Sequence, residues 1–557
     1  MKAVQLSFPD SLQARMDACL SYYSENRVVD RIWKKDYTVW KESPVEITNR
    51  LGWLHSPDWI SDRLDEISEF VRNVRNDGFN RTVLLGMGGS SLAPEVFRKT
   101  LGLKKGFLDL EILDSTDPDA IDRVEKGTDP RRTLFLISTK SGGTVETFSL
   151  FRYFYNRMLE SVGGAQIGRH FVAITDPGSG LEKLAKSLGF RKTFLNDPDI
   201  GGRFSALSFF GMVPAGLIGA DLSDLIRTAR SMAASCHPKT PVHDNPAVRT
   251  GILIGELARS DINKLTFLLP PSLSSFGDWV EQLVAESTGK EGRGVVPVVH
   301  EIQPESGSYP EDRIFVHIHL EPEIEKHGEI NRLKKKHPVV QIPLDGMTDL
   351  GGLFFLWEMA VALACERMKI NPFNQPDVES AKKQARQAVD QYKASGFLPE
   401  IASSPATGKS ILDSLESPAK GSYIGLQAFF AWTHERGKTL QRLAARLRDR
   451  TGMAVTAGFG PRFLHSTGQL HKGDGGCGIF IQFTSDPEKD LAIPDEAGKP
   501  GSSVSFNVLL KAQAAGDYLA LKQAGRKVIR IHLKGDPVQA LNRINAECSG
   551  ANMENRE

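Results

Sequence analysis

The sequence predicts an α/β protein with two similar lobes and a smaller third section. Three observations lead to this fold class. From residue 81 onward, short apolar runs alternate with stretches of helical periodicity, which is typical of β-α-β units with parallel sheets covered on both faces. The same pattern resumes after residue 220. The length of 557 residues also exceeds what a single hydrophobic core usually supports.

Residues 1–50 form an amphipathic stretch that we expect to be a helical arm, and the two predicted lobes follow it. The first lobe, residues 51–220, carries the runs TVLLG, LEILD, TLFLIS and FVAIT as strands. The second lobe, residues 221–400, begins with a helical bridge and continues with the strands KLTFLL, IFVHIHL and VVQIPL. Its later helices are predicted over 275–288, 350–369 and 377–395.

The third section, residues 401–557, begins with ASSPATGKSILDSLESPAKG, whose Ser, Pro and Gly content predicts a linker or an exposed loop. Four apolar runs then predict strands, which are YIGLQAFFA, GMAVTAGFG, CGIFIQFT and KVIRIHL. A basic helix, KTLQRLAARLRDR, and a helix over 508–523 lie between them. We therefore expect a small C-terminal α/β section.

Charge and cysteine content limit the expected partners and compartment. The 69 Lys and Arg residues balance 68 Asp and Glu residues, so the net charge of +1 gives no general attraction to nucleic acid or to an anionic membrane. Five scattered cysteines without a C-x-x-C pair indicate a reducing compartment. Asp10, Arg15 and Asp17 interrupt any signal peptide, and Glu358 interrupts the longest apolar stretch. We expect a soluble, cytoplasmic protein.

The first predicted strand ends in GMGGSSLAPE, residues 86–95. Glycines directly after a strand allow backbone N–H groups to approach a ligand, and Ser90 and Ser91 supply hydroxyls where the next helix starts. The segment lacks the third glycine of a dinucleotide fingerprint and the lysine of a Walker motif. An anion site and a plain strand-to-helix turn both explain it.

A second turn of this kind, TKSGGTVET at residues 139–147, follows the run TLFLIS. It offers one lysine and four hydroxyl side chains, which are Lys140, Thr139, Ser141, Thr144 and Thr147. Thr144 and Thr147 are three residues apart and share a face at the first turn of the following helix. Unpaired N–H groups at a helix N-terminus attract anions, and ligands bind at the carboxyl ends of parallel strands. Two such turns in one lobe predict a phosphate site.

A third glycine-rich turn is DIGGRFSALS, residues 199–208. One interpretation is that Gly201 and Gly202 bring Arg203 close to a negative charge that develops during a reaction, because a fixed guanidinium suits that task better than a lysine. The other is an ordinary turn with Arg203 solvated on the surface. The residues themselves do not decide between the two.

A fourth candidate is Glu286 in the predicted helix SFGDWVEQLVAESTGKEGRG. Phe276, Trp279 and Leu283 form an apolar stripe, and Glu286 continues this stripe at helical spacing. A carboxylate in that position is costly to bury unless it is paired or serves as a general base. The alternative is a glutamate at the end of the stripe that reaches solvent or pairs with Lys290.

Taken together, these segments resemble the phosphoglucose isomerase family. GMGGSSLAP is similar to the family pattern G-[IM]-G-G-S-x-L-[GA]-P, TKSGGTVET to S-K-x-x-T-T-x-E-T, GGRFSALS to G-G-R-[FY]-S and AESTGKEGRG to E-S-x-G-K. NPFNQPDVESAKK, residues 371–383, is similar to F-D-Q-x-G-V-E-x-x-K, with departures at Asn374 and Asp377. The motifs follow the family order over about residues 45–395.

The resemblance implies two sugar-isomerase (SIS) lobes and the reversible isomerisation of glucose 6-phosphate and fructose 6-phosphate through ring opening and a cis-enediolate, in glycolysis and gluconeogenesis. It also implies a set of phosphate-binding residues, which are Gly89, Ser90, Thr139, Lys140, Ser141, Thr144 and Thr147. By the same resemblance, Glu286 is the base between C1 and C2, Arg203 stabilises the enediolate, and Lys382 assists ring opening. No cofactor is implied.

The resemblance leaves two regions for the ring-opening histidine. The family places it before the lysine segment, where this chain has histidines in other contexts, at His300, His317, His319, His327 and His337. PRFLHSTGQLHKG, residues 461–473, instead resembles the family segment H-x-F-Y-Q-L-x-H-Q-G moved to the C-terminal section. In this relocation, and in the stretch VWKESPVEITNRLGWL at residues 39–54, the chain is most similar to the isomerase half of fused transaldolase/phosphoglucose isomerase proteins. We predict His465, with His471 as the rival.

Two alternative functions are considered. One is a sugar-phosphate-binding regulator without catalysis, against which the retained Glu286, Arg203 and Lys382 argue. The other is an isomerase that also accepts mannose 6-phosphate. His317 and His319 alternate on a strand as two metal ligands would, but no third ligand has suitable spacing, so no metal is expected. The resemblance further implies a homodimer with a site shared between subunits.

Overall fold

The structure is a computed structural model that describes residues 3–304, 307–320 and 327–549, with the backbone alone for His327. The strands are β1 Gln5–Ser7, β2 Arg81–Gly86, β3 Asp109–Leu113, β4 Thr133–Ser138, β5 Phe171–Thr175, β6 Lys192–Leu195, β7 Lys264–Leu268, β8 Val296–Val298, β9 Arg313–Leu320, β10 Val339–Leu344, β11 Tyr423–Phe429, β12 Ala454–Phe459, β13 Gly478–Ser485, β14 Ala492–Ile493, β15 Val504–Ser505 and β16 Lys527–Leu533. The helices are α1 Gln13–Glu25, α2 Val28–Trp33, α3 Ser56–Ser61, α4 Leu64–Asn76, α5 Leu92–Leu101, α6 Pro118–Lys126, α7 Val145–Val162, α8 Gly180–Ser187, α9 Phe209–Leu217, α10 Leu222–Ser235, α11 Pro246–Ala258, α12 Ser274–Thr288, α13 His327–Lys334, α14 Leu350–Met368, α15 Val378–Ser395, α16 Gly408–Ser414, α17 His434–Thr451, α18 Gly468–Gly473, α19 Phe506–Gln523 and α20 Pro537–Cys548.

The first sheet has the strand order β3-β2-β4-β5-β6, and every pair in it is parallel. Strand β4 is buried along its whole length, which matches its unbroken apolar sequence. Strands β2 and β4 are neighbours, with Gly86 opposite Ser138 at their carboxyl ends. The strand order reverses between them, and such a switch point leaves a crevice in which ligands bind. The two predicted phosphate turns flank this crevice.

The second sheet has the order β1-β10-β9-β7-β8 and is parallel except for β1. The prediction of a helical arm over residues 1–50 is therefore wrong for residues 5–7, which pair antiparallel with β10. A three-residue edge strand is too short to produce a detectable apolar period. The arm is also fixed by Tyr23, whose hydroxyl donates to the Glu366 carboxylate at 2.7 Å.

The long apolar helix α14 lies in the core of the second lobe. The segment Met347–Met368 is long and apolar enough to cross a membrane by length and composition, but 94% of its most apolar window is buried within the protein. Trp40 of the arm donates its indole N–H to the Ala362 carbonyl oxygen at 2.8 Å. Helix α14 therefore packs as an interior helix, with neighbouring helices and the arm around it.

The third section contains a parallel sheet in the order β12-β11-β13-β16, together with the short antiparallel pair β14–β15. The expected linker at its start is instead partly helical, because Ile411 of α16 is fully buried and the Gly408 N–H donates to the Glu547 carboxylate at 2.6 Å. Thr407 caps this short helix through the Ser410 N–H. With three mainly parallel sheets flanked by helices, the predicted α/β fold class is confirmed.

The third section packs against the second lobe, and it also contacts the first lobe, where the Thr116 hydroxyl donates to the Gln513 side-chain oxygen at 2.7 Å. Helix α19 lies along α15, where Ser380 donates to the Gln523 side chain at 3.1 Å. Helix α18 lies against the end of α12, where the Gln469 amide donates to the Gly289 carbonyl oxygen at 2.8 Å. This packing places the segment that precedes α18 at the crevice of the first lobe.

Candidate active site

A cavity of about 940 Å³ opens where the two lobes and the third section meet. Its walls include the turns after β2 and β4, the end of α12 and the start of α15. The predicted site residues that line it are Gly89, Ser90, Thr139, Lys140, Ser141, Thr144, Arg203, Glu286, Lys382 and His465. Thr147 does not line it. Residues from six separate segments of the sequence therefore converge on one cavity.

The hydroxyl-rich wall is built around the start of α7. Thr144 precedes the helix in an extended conformation, and its hydroxyl lies 3.0 Å from the hydroxyl of Thr139. The Ser138 hydroxyl donates to the Ser90 carbonyl oxygen at 3.1 Å, which joins this turn to the turn after β2. Hydroxyls beside the N-terminal N–H groups of a helix form an anion-binding site. We call this site, formed by Thr139, Ser141 and Thr144, the anion seat.

Gly89 allows the first glycine-rich turn to contact the turn that carries Arg203. A Cβ atom at Gly89 would lie 2.0 Å from the Gly202 carbonyl oxygen, a distance that no side chain tolerates. The glycine is therefore required for the close approach of two backbones. Its contribution is to the position of the turns that form the cavity.

Lys140 and Thr147, two of the predicted phosphate ligands, are less available to a phosphate in the cavity than the others. Lys140 forms an ion pair with Asp176 and donates to the Pro198 carbonyl oxygen at 2.7 Å, so its charge already has a partner. Thr147 is fully buried, and within the described residues its hydroxyl has no hydrogen-bond partner. A residue three positions into a helix lies about 4.5 Å farther along the axis, and there Thr147 points into the core instead of the cavity.

Glu286 and Arg203 form a buried ion pair at the centre of the cavity wall. Arg203 Nη1 lies 2.5 Å from Glu286 Oε1, and the two residues are only 5% and 6% exposed. Arg203 Nε also donates to the Ser287 hydroxyl at 3.0 Å, and Nη2 donates to the Pro372 carbonyl oxygen at 2.7 Å. The guanidinium is thus fixed in position, and the interpretation of Arg203 as a solvated surface residue is wrong.

Lys290 is not the partner of Glu286 that the alternative interpretation required. Its ammonium donates to the Asn374 carbonyl oxygen at 2.5 Å and to the Asn374 side-chain oxygen at 3.1 Å. Burial, together with the nearby charge of Arg203, lowers the pKa of Lys290 to about 7. Lys290 therefore fastens the segment around Asn374 to the end of α12.

His465 forms a second buried pair, with Glu146. His465 Nε2 lies 2.8 Å from Glu146 Oε1, which also accepts from the Gln513 amide at 2.7 Å. Burial acts to lower the pKa of His465, but the charge of Glu146 and the hydrogen bond to it outweigh burial and raise the pKa. In turn, burial would raise the pKa of Glu146, and the charge of His465 lowers it instead.

Three residues of this site were not predicted from the sequence, namely Glu146, Gln282 and Gln513. The Gln282 amide donates to Glu286 Oε2 at 3.0 Å and to the His465 carbonyl oxygen at 2.7 Å, so it links the two buried pairs. Its position four residues before Glu286, on the same helix face, was an available signal. Glu146 stands inside the TKSGGTVET turn, but its partner is remote in the sequence.

The remaining lysine and histidine candidates have distinct surroundings. Lys382 lines the cavity, and its ammonium pairs with the Glu379 carboxylate at 2.7 Å. Of the histidines with described side chains, only His465 lines the cavity, while the other candidates stand elsewhere, at His300, His317, His319, His337 and His471. The side chain of His327 lies outside the described part of the chain.

His471, the rival candidate, is buried within the third section, where its Nδ1 lies 3.3 Å from the Gln427 amide nitrogen. Burial and the charge of Lys472 lower the pKa of His471 well below the usual range of a histidine. His317 and His319 stack on β9 with their ring centroids 4.5 Å apart. In the residues that the structure describes, no group of three or more His, Cys, Asp or Glu side chains is arranged to hold a metal ion.

The amino-acid sequence of this chain is similar to those of glucose-6-phosphate isomerases. A family model described as phosphoglucose isomerase matches residues 59–299. A probable glucose-6-phosphate isomerase of Methanococcus maripaludis is 30% identical over 393 residues, covering 62% of this chain and 86% of that protein. A glucose-6-phosphate isomerase of Thermosynechococcus vestitus is 30% identical over 396 residues, covering 60% of this chain and 73% of that protein.

Two solved structures share the fold. A hypothetical protein of Thermus thermophilus has a TM-score of 0.60 and 25% identity, and the match covers 69% of this chain and 99% of that one. A glucose-6-phosphate isomerase of Chlamydia trachomatis has a TM-score of 0.56 and 17% identity, with 68% and 86% covered. These matches agree with the two-lobed α/β architecture.

Proposed function

The chain belongs to the phosphoglucose isomerase family, and from this premise we propose that its 940 Å³ cavity interconverts glucose 6-phosphate and fructose 6-phosphate. The observation that carries the proposal is that an anion seat, the Glu286–Arg203 pair and the His465–Glu146 pair line one cavity. The reaction is an aldose–ketose isomerisation in glycolysis. A regulator without catalysis is not favoured, because the acid, base and cation are all retained.

The substrate phosphate is held at the start of α7. The hydroxyls of Thr139, Ser141 and Thr144 line this part of the cavity, and Ser90 faces it from the turn after β2. Helix N–H groups and hydroxyls hold a phosphate without needing a free lysine. We therefore assign the phosphate mainly to these hydroxyls, with Lys140 contributing less because Asp176 already neutralises it.

Ring opening is assigned to His465, with Lys382 assisting. His465 Nε2 is occupied by Glu146, so Nδ1 is the ring nitrogen left to exchange a proton with the sugar. Glu146 raises the pKa of His465 and so keeps a proton available for the ring oxygen. Glu146 and Gln513 are positioning residues, because they act through the imidazole.

Isomerisation is assigned to Glu286. Its carboxylate takes the proton from C2 of the open-chain aldose and returns it to C1, while the hydroxyl proton passes from O2 to O1. Arg203 stabilises the negative charge that develops on the enediolate oxygens. Three hydrogen bonds and the ion pair hold the guanidinium in place before the reaction starts. An interaction that strengthens as charge develops raises the rate, since it favours the transition state over the substrate.

The oligomeric state, compartment, partners and domain division of the chain are also proposals. One of them is the homodimer with a shared site that the family resemblance implies. A cytoplasmic setting is supported by five free cysteines. The near-neutral charge supports a function without nucleic acid or membrane partners. The division at residues 50, 220 and 400 is likewise retained.

The test is a coupled assay that follows glucose 6-phosphate formation from fructose 6-phosphate with the purified wild-type chain. Turnover is expected at a rate typical of metabolic enzymes, on the order of 1–1,000 s⁻¹. Mannose 6-phosphate assayed in parallel decides whether the pocket discriminates at C2. If the chain binds fructose 6-phosphate but no product forms, the isomerase proposal is wrong and a binding function is correct.

A further inference from the structure

A second cavity, of about 410 Å³, lies between the second lobe and the third section. We call it the junction cavity, and it shares no lining residue with the 940 Å³ cavity. The second lobe contributes the segment after α11 and the turn 292–294, and the third section contributes Tyr423 and the segment after α18. The function proposed above uses none of these residues.

The rim of the junction cavity is cationic. Arg259 and Arg293 both line it and are exposed. Arg259 forms an ion pair with Glu256 at 3.2 Å. Arg293 instead donates to the Met368 carbonyl oxygen and has no carboxylate partner in the described part of the chain. An unpaired guanidinium beside a concave polar surface is suited to a carboxylate or a phosphate, which it binds with two parallel hydrogen bonds.

The base of the junction cavity is buried and polar. The Lys264 ammonium lies there at 1% exposure and donates to the Gly421 carbonyl oxygen at 2.6 Å and to the Asn263 side-chain oxygen at 2.7 Å. The Tyr423 hydroxyl is equally buried and lies near Asp474. This hydroxyl and the Asp474 carboxylate interact with each other, and both residues line the cavity. A buried hydroxyl beside a carboxylate in a cavity wall offers donor and acceptor groups to a ligand hydroxyl.

We propose that the junction cavity binds a compact anion that also carries hydroxyl groups, a phosphorylated or carboxylated polyol. Lys264 lies 3.3 Å from Asp312 and so adds no free charge. Arg259 shares the Glu256 carboxylate with Arg15 and Arg367, and Arg293 has no carboxylate partner among the described residues, so the rim keeps positive charge for an anion. The volume lies within the range of about 300–1,000 Å³ that is usual for small-molecule sites. The anionic group binds at the rim, and the hydroxyls bind toward Tyr423.

The junction cavity adjoins the contact between the 292–294 turn and α18. The turn follows the helix that carries Glu286, and α18 follows His465. Gly294 lines the cavity, and a Cβ atom there would lie 2.4 Å from Leu470 Cδ1 in α18. The Gly292 N–H donates to the Gly473 carbonyl oxygen at 3.0 Å. An occupant that touches both the 292–294 turn and the segment after α18 therefore holds these two segments together.

The experiment is isothermal titration calorimetry with glycerol 3-phosphate as the probe. The protein is the full chain with S90A and T144A, so that the phosphate seat of the larger cavity is weakened and binding at the junction cavity is measured separately. Binding is expected in this background. Adding R259Q and R293Q should weaken it by at least about tenfold, because two charge-assisted hydrogen-bonding groups are lost. Adding R442Q, an exposed arginine on α17, should leave it unchanged.

Further probes identify the ligand chemistry. D-glycerate in place of glycerol 3-phosphate distinguishes a carboxylate source of the anion from a phosphate source, and glycerol alone should not bind. Y423F should weaken binding without affecting the fold, as measured by circular dichroism. Absence of binding in the S90A/T144A background, or equal affinity in the R259Q/R293Q and R442Q variants, would overturn the proposal. Because the readout is binding heat, this result is independent of whether the chain is an isomerase.

Discussion

His465 Nε2 lies 2.8 Å from Glu146 Oε1, although the two residues are 319 positions apart in the chain. Glu146 belongs to the first turn of α7, the same helix whose start forms the anion seat. In the proposed mechanism, one helix therefore positions both the substrate phosphate and the ring-opening histidine. We expect this shared helix to fix the distance between the phosphate and the sugar ring oxygen, which favours a single bound orientation.

Glu146→Gln tests this pairing. Without the carboxylate charge, burial dominates and the pKa of His465 should fall, so less of the imidazole is protonated at neutral pH. We expect the rate with cyclic glucose 6-phosphate to fall about 10- to 100-fold at pH 8 and less at pH 6. The pH–rate profile measures this shift. Glu160→Gln, an exposed glutamate on the same helix, is the control, and identical profiles for the two variants would contradict the pairing.

Thr144→Val and Thr147→Val form a matched pair of substitutions. Thr144 lines the cavity and Thr147 is buried away from it, so only the first loses a phosphate hydrogen bond. We expect the KM for fructose 6-phosphate to rise about tenfold in Thr144→Val, as the loss of a hydrogen bond to a charged group implies, and to stay within about twofold in Thr147→Val. A larger effect at Thr147 would restore it as a phosphate ligand.

Arg203→Lys tests the role of a fixed guanidinium. A lysine cannot contact Glu286, Ser287 and Pro372 at once, so its charge would be poorly placed for the enediolate. We expect kcat to fall by about 100- to 1,000-fold with a small change in KM. Steady-state kinetics measure this, with the exposed Arg227→Lys as control. A change confined to KM would mean that Arg203 binds the ground state only.

Glu358 predicts a pH dependence of stability. It is fully buried in α14, and within the described residues neither carboxylate oxygen has a partner, so burial raises its pKa well above the usual range. The folded chain keeps the proton that the unfolded chain releases above about pH 4.3, so this group's contribution to stability falls by about 1.4 kcal/mol per pH unit until the folded-state pKa is reached.

The corresponding measurement is urea unfolding of wild type and Glu358→Gln at pH 5 and pH 7. The amide cannot ionise, so the variant should gain stability relative to wild type as the pH rises. Glu400→Gln, at an exposed position, should follow wild type at both values. If the difference between wild type and Glu358→Gln does not change with pH, Glu358 is not buried as a neutral acid.

Much of the site follows from local sequence. The turns after β2 and β4 were predictable because glycines and hydroxyls directly follow apolar runs, and parallel strands bring such turns to one edge. Glu286 was a candidate because it continues an apolar stripe. Its pairing with Arg203 was not predictable, since no sequence spacing specifies a contact between residues that far apart.

The unpredicted features depend on tertiary packing. The Glu146–His465 pair forms only because the third section docks on both lobes. Thr147 was expected in the cavity on the basis of helical spacing, but spacing fixes the relative direction of two side chains and leaves open which of them faces the core. Helix α16 was missed because one buried aliphatic residue, Ile411, is too weak a signal among Ser, Pro and Gly. The likeness to the isomerase half of fused proteins stays a prediction.

The most direct test of the central claim is proton NMR of fructose 6-phosphate turnover in D₂O by wild type and Glu286→Gln, with phosphate affinity measured in both. If Glu286 moves the proton between C1 and C2, exchange of the carboxyl proton with D₂O while the enediolate is bound should leave deuterium at C2 in part of the glucose 6-phosphate that wild type forms. Glu286→Gln should be slower by about 100- to 10,000-fold at unchanged phosphate affinity. Turnover of Glu286→Gln at the wild-type rate would show that another group is the base and would contradict the proposed mechanism.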